Sequence, residues 1–171
     1  MKELIIFGRS PFINKLKLKN INYNKYDVLC INYPIPNIRV DYVVSADNWV
    51  KPVLAPKTEW ISQNTGWCFK KTDEIIQDIG VLSWCIYSSS LAVNFAVSRG
   101  YKTIYLAGVD LIEDGKPLEH YDGITNNKPA KIDGCQKEKK FIKELAEKFK
   151  VNIYQLNPGV DWLEYKDIGL L

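Results

Sequence analysis

The sequence predicts an α/β fold in three layers around a mainly parallel sheet. Two observations carry this prediction. Short apolar segments rich in Ile, Val and Leu recur along the chain and alternate with helical or turn-forming stretches, the pattern of strand–helix–strand units. In Ser88–Asp110, SSSLAVNFAVSRGYKTIYLAGVD, a helix, a tight turn and a strand follow one another directly. Crossovers between parallel strands are right-handed by default.

Each element has its own reason. Leu4–Phe7 is a buried strand, and Gly8-Arg9-Ser10-Pro11 turns after it. Pro11 fits the first turn of a helix with Ser10 as its cap. Asp27–Asn32 is a second strand, stopped by Pro34 and Pro36, which cannot continue a ladder. Asp41–Ala46 is a third, running into Asp47 and Asn48, and Thr58–Ser62 is a fourth. Asn64-Thr65-Gly66 reads as a hairpin turn before Trp67–Lys70. Ile79–Tyr87 is either a strand or the lead-in to the next helix. That helix starts at Ser88, Ser89 and Ser90, residues that can cap unpaired backbone N–H groups. It is apolar nearly all round, so it is buried. Gly100 takes the left-handed position that ends helices. Thr103–Leu106 is β-branched and aromatic, a strand, and Ala107 and Gly108 lead from it to Asp110. Gly115–Lys131 is polar and reads as a mobile loop. From Gln136 to Lys150, Phe141, Ile142, Leu145, Ala146 and Phe149 share one helix face, with lysines on the other and a Glu144–Lys148 pair. Val151–Leu156 is the last strand, stopped by Asn157-Pro158-Gly159.

Composition narrows the function classes. A chain of 171 residues reads as one domain, 1–171, large enough for a real core. A formal net charge of +3 demands neither nucleic acid nor an acidic membrane, and the lysines of the last helix read as a solvated face because acids are interleaved. No apolar run reaches the length of a membrane span. The first eight residues do not form a signal peptide, so a cytoplasmic location is expected. Cys30, Cys68, Cys85 and Cys135 make no Cys-x-x-Cys pair, which suits reduced core residues, and a lone histidine argues against a metal site. Neither a Gly-x-Gly-x-x-Gly fingerprint nor a Walker lysine motif is present.

In open α/β sheets ligands bind at the carboxyl ends of the strands. The polar residues expected there are Gly8, Arg9, Ser10, Asn32, Asp47, Asn48, Ser88, Ser89, Ser90, Gly108 and Asp110. A serine-rich helix start beside that edge suits a phosphate, or is simply a capped core helix. Arg9 can clamp a phosphate bidentately or stand as an exposed charge. Asp110 can take a ribose hydroxyl, a metal-bound phosphate or a backbone N–H. Asp47 and Asn48 are ligand contacts or loop caps, and Trp49 after them can stack on a base. His120 lies in a polar loop beside Asp122 and is either a general base or an ordinary surface histidine.

The chain resembles the compact bacterial CMP-dependent sialyltransferases and, more loosely, a pterin diphosphokinase of the same Rossmann-like superfamily, which also has small phage-encoded members. Four segments carry the resemblance: IIFGRSP, Leu29-Cys30-Ile31-Asn32, Ser88–Asp110, and His120-Tyr121-Asp122-Gly123 followed by the amphipathic helix and Ile153–Pro158. It implies a nucleotide-binding, three-layer Rossmann-like domain whose ligand is a nucleotide or nucleotide-sugar, whose partner is that small molecule, and which forms a homo-oligomer. The tail aromatics near Asp161-Trp162-Leu163 would serve such an interface. The departures fall on the family's catalytic set. Its histidine base aligns with Ile124, an arginine with Cys85 and a phosphate-steadying tyrosine with Ile112. Two glycines of its turns are Ser10 and Ser89 here. The expectation is therefore a glycosyltransferase-like protein with a degenerate site and His120 as its one candidate base. The alternative is a non-catalytic nucleotide- or sugar-binding module, a phage accessory or counter-defence protein. A magnesium- and ATP-dependent diphosphokinase, with Asp47 and Asp110 as metal candidates, ranks below both.

Overall fold

A computed structural model of the chain describes residues 2–45, 59–62, 87–111, 117–118, 126–129 and 132–171. In chain order these form β1 (Glu3–Phe7), 3₁₀ turns at Pro11–Lys15 and Leu18–Asn20, β2 (Tyr26–Ile31), β3 (Tyr42–Ser45), β4 (Glu59–Ser62), α1 (Ser88–Ser98), β5 (Thr103–Ala107), β6 (Pro117–Leu118), β7 (Asn126–Pro129), α2 (Ile132–Phe149) and β8 (Asn152–Gln155). Six strands make one sheet in the order β4-β3-β2-β1-β5-β8. Every neighbouring pair in it is parallel. β1 lies at its centre, with Ile5 opposite Val28 on one side and Tyr105 on the other.

Strands buried on both faces read as near-continuous apolar runs, because helices or turns cover each side. Alternate residues therefore feed two cores. Leu4, Ile6, Leu29, Ile104 and Leu106 pack beneath Leu91 and Phe95 of α1 and Phe141, Ile142 and Leu145 of α2. Ile5, Phe7, Val28, Cys30 and Tyr105 face the other way, onto Phe12, Ile13, Leu16 and Ile21 and onto Leu156 and Leu170. Among the described residues, 3₁₀ turns and the C-terminal segment build that third layer, where the sequence pattern had suggested helices.

The cues at element ends hold. Ser10 caps the first 3₁₀ turn by accepting from the Phe12 N–H at 3.2 Å, with Pro11 inside. Gly100 ends α1 at φ +85°. Its N–H reaches the Val97 carbonyl at 3.0 Å and the Tyr101 N–H reaches Ala96 at 3.1 Å, a Schellman closure.

Some expectations are corrected. The second strand stops at Ile31, because Asn32 turns into the left-handed region at φ 69°. The polar Gly115–Lys131 segment holds the antiparallel pair β6–β7. α2 starts four residues before Gln136, with Gly134 in its first turn. Glu144 pairs with Lys140 at 3.7 Å, the opposite direction from the pair expected. Trp162 is not an exposed tail aromatic: it is 8% exposed and packs in the core under the helices. Cys30 and Cys135 are buried and in no disulfide, Cys135 on a helix. Burial pushes the Cys30 thiol up to about 12. Among the described residues no helix is long and apolar enough to cross a membrane. The 64–70 hairpin, the 79–86 segment, Cys68, Cys85 and Trp49 fall outside the described residues.

Candidate functional site

The strand order creates the site. From β1 the chain moves outward through β2, β3 and β4, and α1 then carries it back across to β5 on the far side of β1. The direction of winding reverses between β1 and β5, and it is in the crevice at such a switch point that open α/β sheets bind ligands.

At the floor of the crevice the two loops nearly touch. The Gly8 N–H donates to the Ala107 carbonyl at 2.7 Å, and the Ser10 N–H donates to the Gly108 carbonyl at 3.1 Å. A Cβ on Gly8 would meet the Gly108 oxygen at 2.2 Å. Gly108 itself sits at φ +70°, where side chains are strained. Both glycines are thus required by the crossing. Above it the Ser10 hydroxyl donates a short hydrogen bond to Asp110 Oδ2. Asp110 is held from behind: its carbonyl accepts from the Trp162 indole N–H at 3.0 Å. Gln155 Nε2 donates to the Val109 carbonyl next door at 2.9 Å. The other carboxylate oxygen, Oδ1, is buried and has no hydrogen-bond partner among the described residues. Arg9 lies over the Tyr33 ring at 5.2 Å, which fixes its guanidinium near the ends of β1 and β2 by cation–π attraction.

The second wall is the first turn of α1. Tyr87 is its N-cap, extended at φ −130° and ψ 171°. The Ser88 hydroxyl donates to Asn32 Oδ1 at 3.2 Å, tying α1 to the end of β2. The Ser90 hydroxyl folds back on the cap, donating to the Tyr87 carbonyl at 2.9 Å and accepting from its N–H at 3.3 Å. Ser89 points into the protein. Its hydroxyl donates to Glu138 Oε1 at 2.5 Å, and the Ser90 N–H donates to the same oxygen at 2.5 Å. Glu138 belongs to α2, is 0% exposed, and leaves Oε2 without a partner among the described residues. Desolvation raises its pKa above the usual carboxylate range, and the serine hydrogen bonds pull the other way without cancelling it. One turn further along α1, Asn94 is also 0% exposed, and neither atom of its amide has a partner.

Of the residues expected at the ligand edge, the structure places Gly8, Arg9 and Ser10 just after β1, Asn32 just after β2, Gly108 and Asp110 just after β5 and Ser88 at the start of α1, with Ser10 bonded to Asp110 and Ser88 to Asn32. Ser89 and Ser90 spend their described hydrogen bonds within the helix start and on Glu138. The N–H of Ser90 and the hydroxyl of Ser89 are already used by a carboxylate of the protein, which answers the positive end of the helix. Asp47, Asn48 and His120 fall outside the described residues. Sequence reasoning missed Glu138 and the Gln155–Trp162 buttress. Glu138 had a visible signal: it lies three, four and seven residues before Phe141, Ile142 and Leu145, on their face. Among the described residues, no group of three or more His, Cys, Asp or Glu could hold a metal ion.

A parallel sheet with its crevice between β1 and β5 defines a Rossmann-like α/β protein. Solved structures share this fold. Over 98% of this chain and 87% of the other, it superposes with a TM-score of 0.61 and 15% identity on the sialyltransferase CstII from Campylobacter jejuni in complex with the substrate analogue CMP-3FNeuAc. The same enzyme with cytidine-5'-monophosphate gives 0.63 at 15% identity over 98% and 86% of the two chains. The monofunctional alpha-2,3-sialyltransferase Cst-I of the same organism gives 0.62 at 16% identity over 99% and 84%. No protein-family model matches the chain, and no curated protein matches it either.

Proposed function

We propose that the chain is a single nucleotide-binding domain of glycosyltransferase type, taking CMP or a CMP-sugar at the β1–β5 crevice. The observation that carries this reading is the Asp110 carboxylate, fixed by Ser10 and the Trp162 buttress, with a buried Oδ1 that has no partner among the described residues. It stands at the ligand edge of a fold shared with CMP-bound sialyltransferases. A ribose hydroxyl is a donor of the right kind for Oδ1. Ser88 and Asn32, with Arg9 nearby, offer polar groups for the phosphate on the opposite wall. Catalysis, where it occurs, rests on positioning donor and acceptor and on stabilising the leaving phosphate, with His120 assisting the acceptor hydroxyl.

The substitutions at Ile124, Cys85 and Ile112 favour a second reading: a nucleotide- or sugar-binding module without turnover, such as a phage accessory or counter-defence protein. Titration calorimetry with CMP and CMP-sialic acid tests the shared part. Binding by the wild type, weakened on the order of tenfold or more in Asp110→Ala, is the expected result, since a hydrogen bond to a charged group contributes about 1.5–3 kcal/mol. The absence of binding by either ligand would overturn both readings. Transfer of the sugar, lost in His120→Ala, would select the first; binding without transfer selects the second.

A further inference from the structure

Glu138 stands at the positive end of α1, where a carboxylate answers the helix dipole, and it reaches there from a different helix. Its Oε1 takes the Ser89 hydroxyl and the Ser90 N–H, so the helix end is already answered by a carboxyl group belonging to the protein. The same turn presents Ser88 to Asn32 on the crevice side. The two serines are adjacent on one helical turn, so a charge at one is felt at the other. Burial is complete on the Glu138 side: the residue is 0% exposed and Oε2 has no partner among the described residues.

We propose that Glu138 is a positioning residue for the ligand edge: it holds the first turn of α1 by Ser89 and Ser90, and it takes up a proton from solvent when an anion binds beside Ser88. This rests on the nucleotide reading above. The physical reason is like-charge repulsion across one helix turn with little water between. An ionised Glu138 opposes a phosphate at Ser88, whereas a neutral one keeps Oε1 as acceptor for both bonds and carries the proton on Oε2. The coupling is reciprocal, as linkage requires. Burial already leans Glu138 toward the neutral form. The titratable groups beside it among the described residues are Tyr87, before α1, and Cys135, one turn earlier on α2. Tyr87 is not ionised near neutral pH and burial raises it further, and Cys135 is common to the two proteins compared below.

The test is titration calorimetry of CMP into wild type and Glu138→Gln from about pH 5.5 to 8.5, in two buffers of different ionisation heat. Glutamine keeps the acceptor oxygen and imitates the neutral acid, and the phosphate's own titration is common to both proteins. The wild type should take up more protons than Glu138→Gln and lose affinity more steeply as pH rises, with a gap on the order of tenfold at the alkaline end. Identical pH profiles and proton counts in the two proteins would overturn the proposal and leave Glu138 a structural cap. If neither protein binds CMP at any pH, the nucleotide reading itself falls and this inference with it. Ser89→Ala gives an independent reading should Glu138→Gln fold poorly. Losing a hydrogen bond that favours the charged form should move the wild-type profile to higher pH; an unmoved profile counts against the proposal.

Discussion

Replacing Gly8 by alanine should damage the protein more than any other single methyl group added to a described loop. The new Cβ would lie 2.2 Å from the Gly108 carbonyl oxygen, 2.7 Å from its carbon and 2.9 Å from Val109 Cγ2. Non-bonded atoms rest at ~3.5 Å or more, so the β1 and β5 loops must part by over about 1 Å. That movement breaks the bonds from Gly8 N–H to Ala107 at 2.7 Å and from Ser10 N–H to Gly108 at 3.1 Å. Two net hydrogen bonds contribute about 2 kcal/mol and the overpacking about 1–3 kcal/mol. The sum, about 3–5 kcal/mol, is a large share of a typical total of about 5–15 kcal/mol. At about 2–4 °C per kcal/mol for this chain length, the melting temperature falls by roughly 6–20 °C. Gly159→Ala is the control: its Cβ would meet only Asn157 Oδ1, at 3.4 Å, an ordinary contact. It should stay within about 0.5 kcal/mol of wild type. Thermal unfolding followed by circular dichroism measures both. A Gly8→Ala shift no larger than that of the control would refute the close crossing of the two loops, and with it the crevice floor.

Two further outcomes follow from the same geometry. Tyr101→Phe should cost about 1.5–3 kcal/mol by denaturant titration, because it removes the hydroxyl that donates to Asp27 at 2.7 Å. Burial, then the Tyr42 and Asp27 hydrogen bonds, raise the Tyr101 pKa above its unfolded value. Its contribution is therefore complete below about pH 10 and is lost as pH rises further, so the wild type should lose its advantage over Tyr101→Phe in that alkaline window. An advantage unchanged through pH 11 would contradict that account. Cys30, 0% exposed and with its thiol pushed up to about 12, should resist iodoacetamide at pH 8 until denaturant is added. Mass spectrometry that found Cys30 alkylated in native protein would place β2 nearer the surface than it lies here.

Much of the architecture could be read from local chemistry. The aliphatic run of β1, the Ser10-Pro11 start and the Gly100 stop each depend on residues within one turn of themselves, and each appears where expected. What escaped depended on distant partners. The three serines look like a phosphate cradle in isolation, and only the arrival of Glu138 from α2 turns Ser89 and Ser90 inward. Glu138 was hidden by its neighbours, since Lys137, Lys139 and Lys140 give that stretch the look of a solvated surface. Trp162 read as an exposed tail aromatic because nothing nearby in sequence reveals the Asp110 carbonyl that its indole N–H requires. The early start of α2 was masked by Gly134, a poor helix former. A Cβ there would lie 2.0 Å from the Tyr87 hydroxyl, so glycine is what the packing allows.

The central place of β1 has a consequence for how the chain is made. β1 leaves the ribosome before its partners do, and one edge finds β2 soon after. Its other edge belongs to β5, with Leu4 opposite Ile104, one hundred positions later. At about 5–20 residues per second, that edge waits roughly 5–20 s during synthesis before its partner exists. The wall of the crevice that holds Asp110 therefore assembles well after the β1–β2–β3 side of the sheet has been made. Pairing at such separation is slow and leaves an apolar strand edge open to other chains meanwhile. Yield on expression should thus depend on elongation rate and temperature more than the stability of the finished fold would imply.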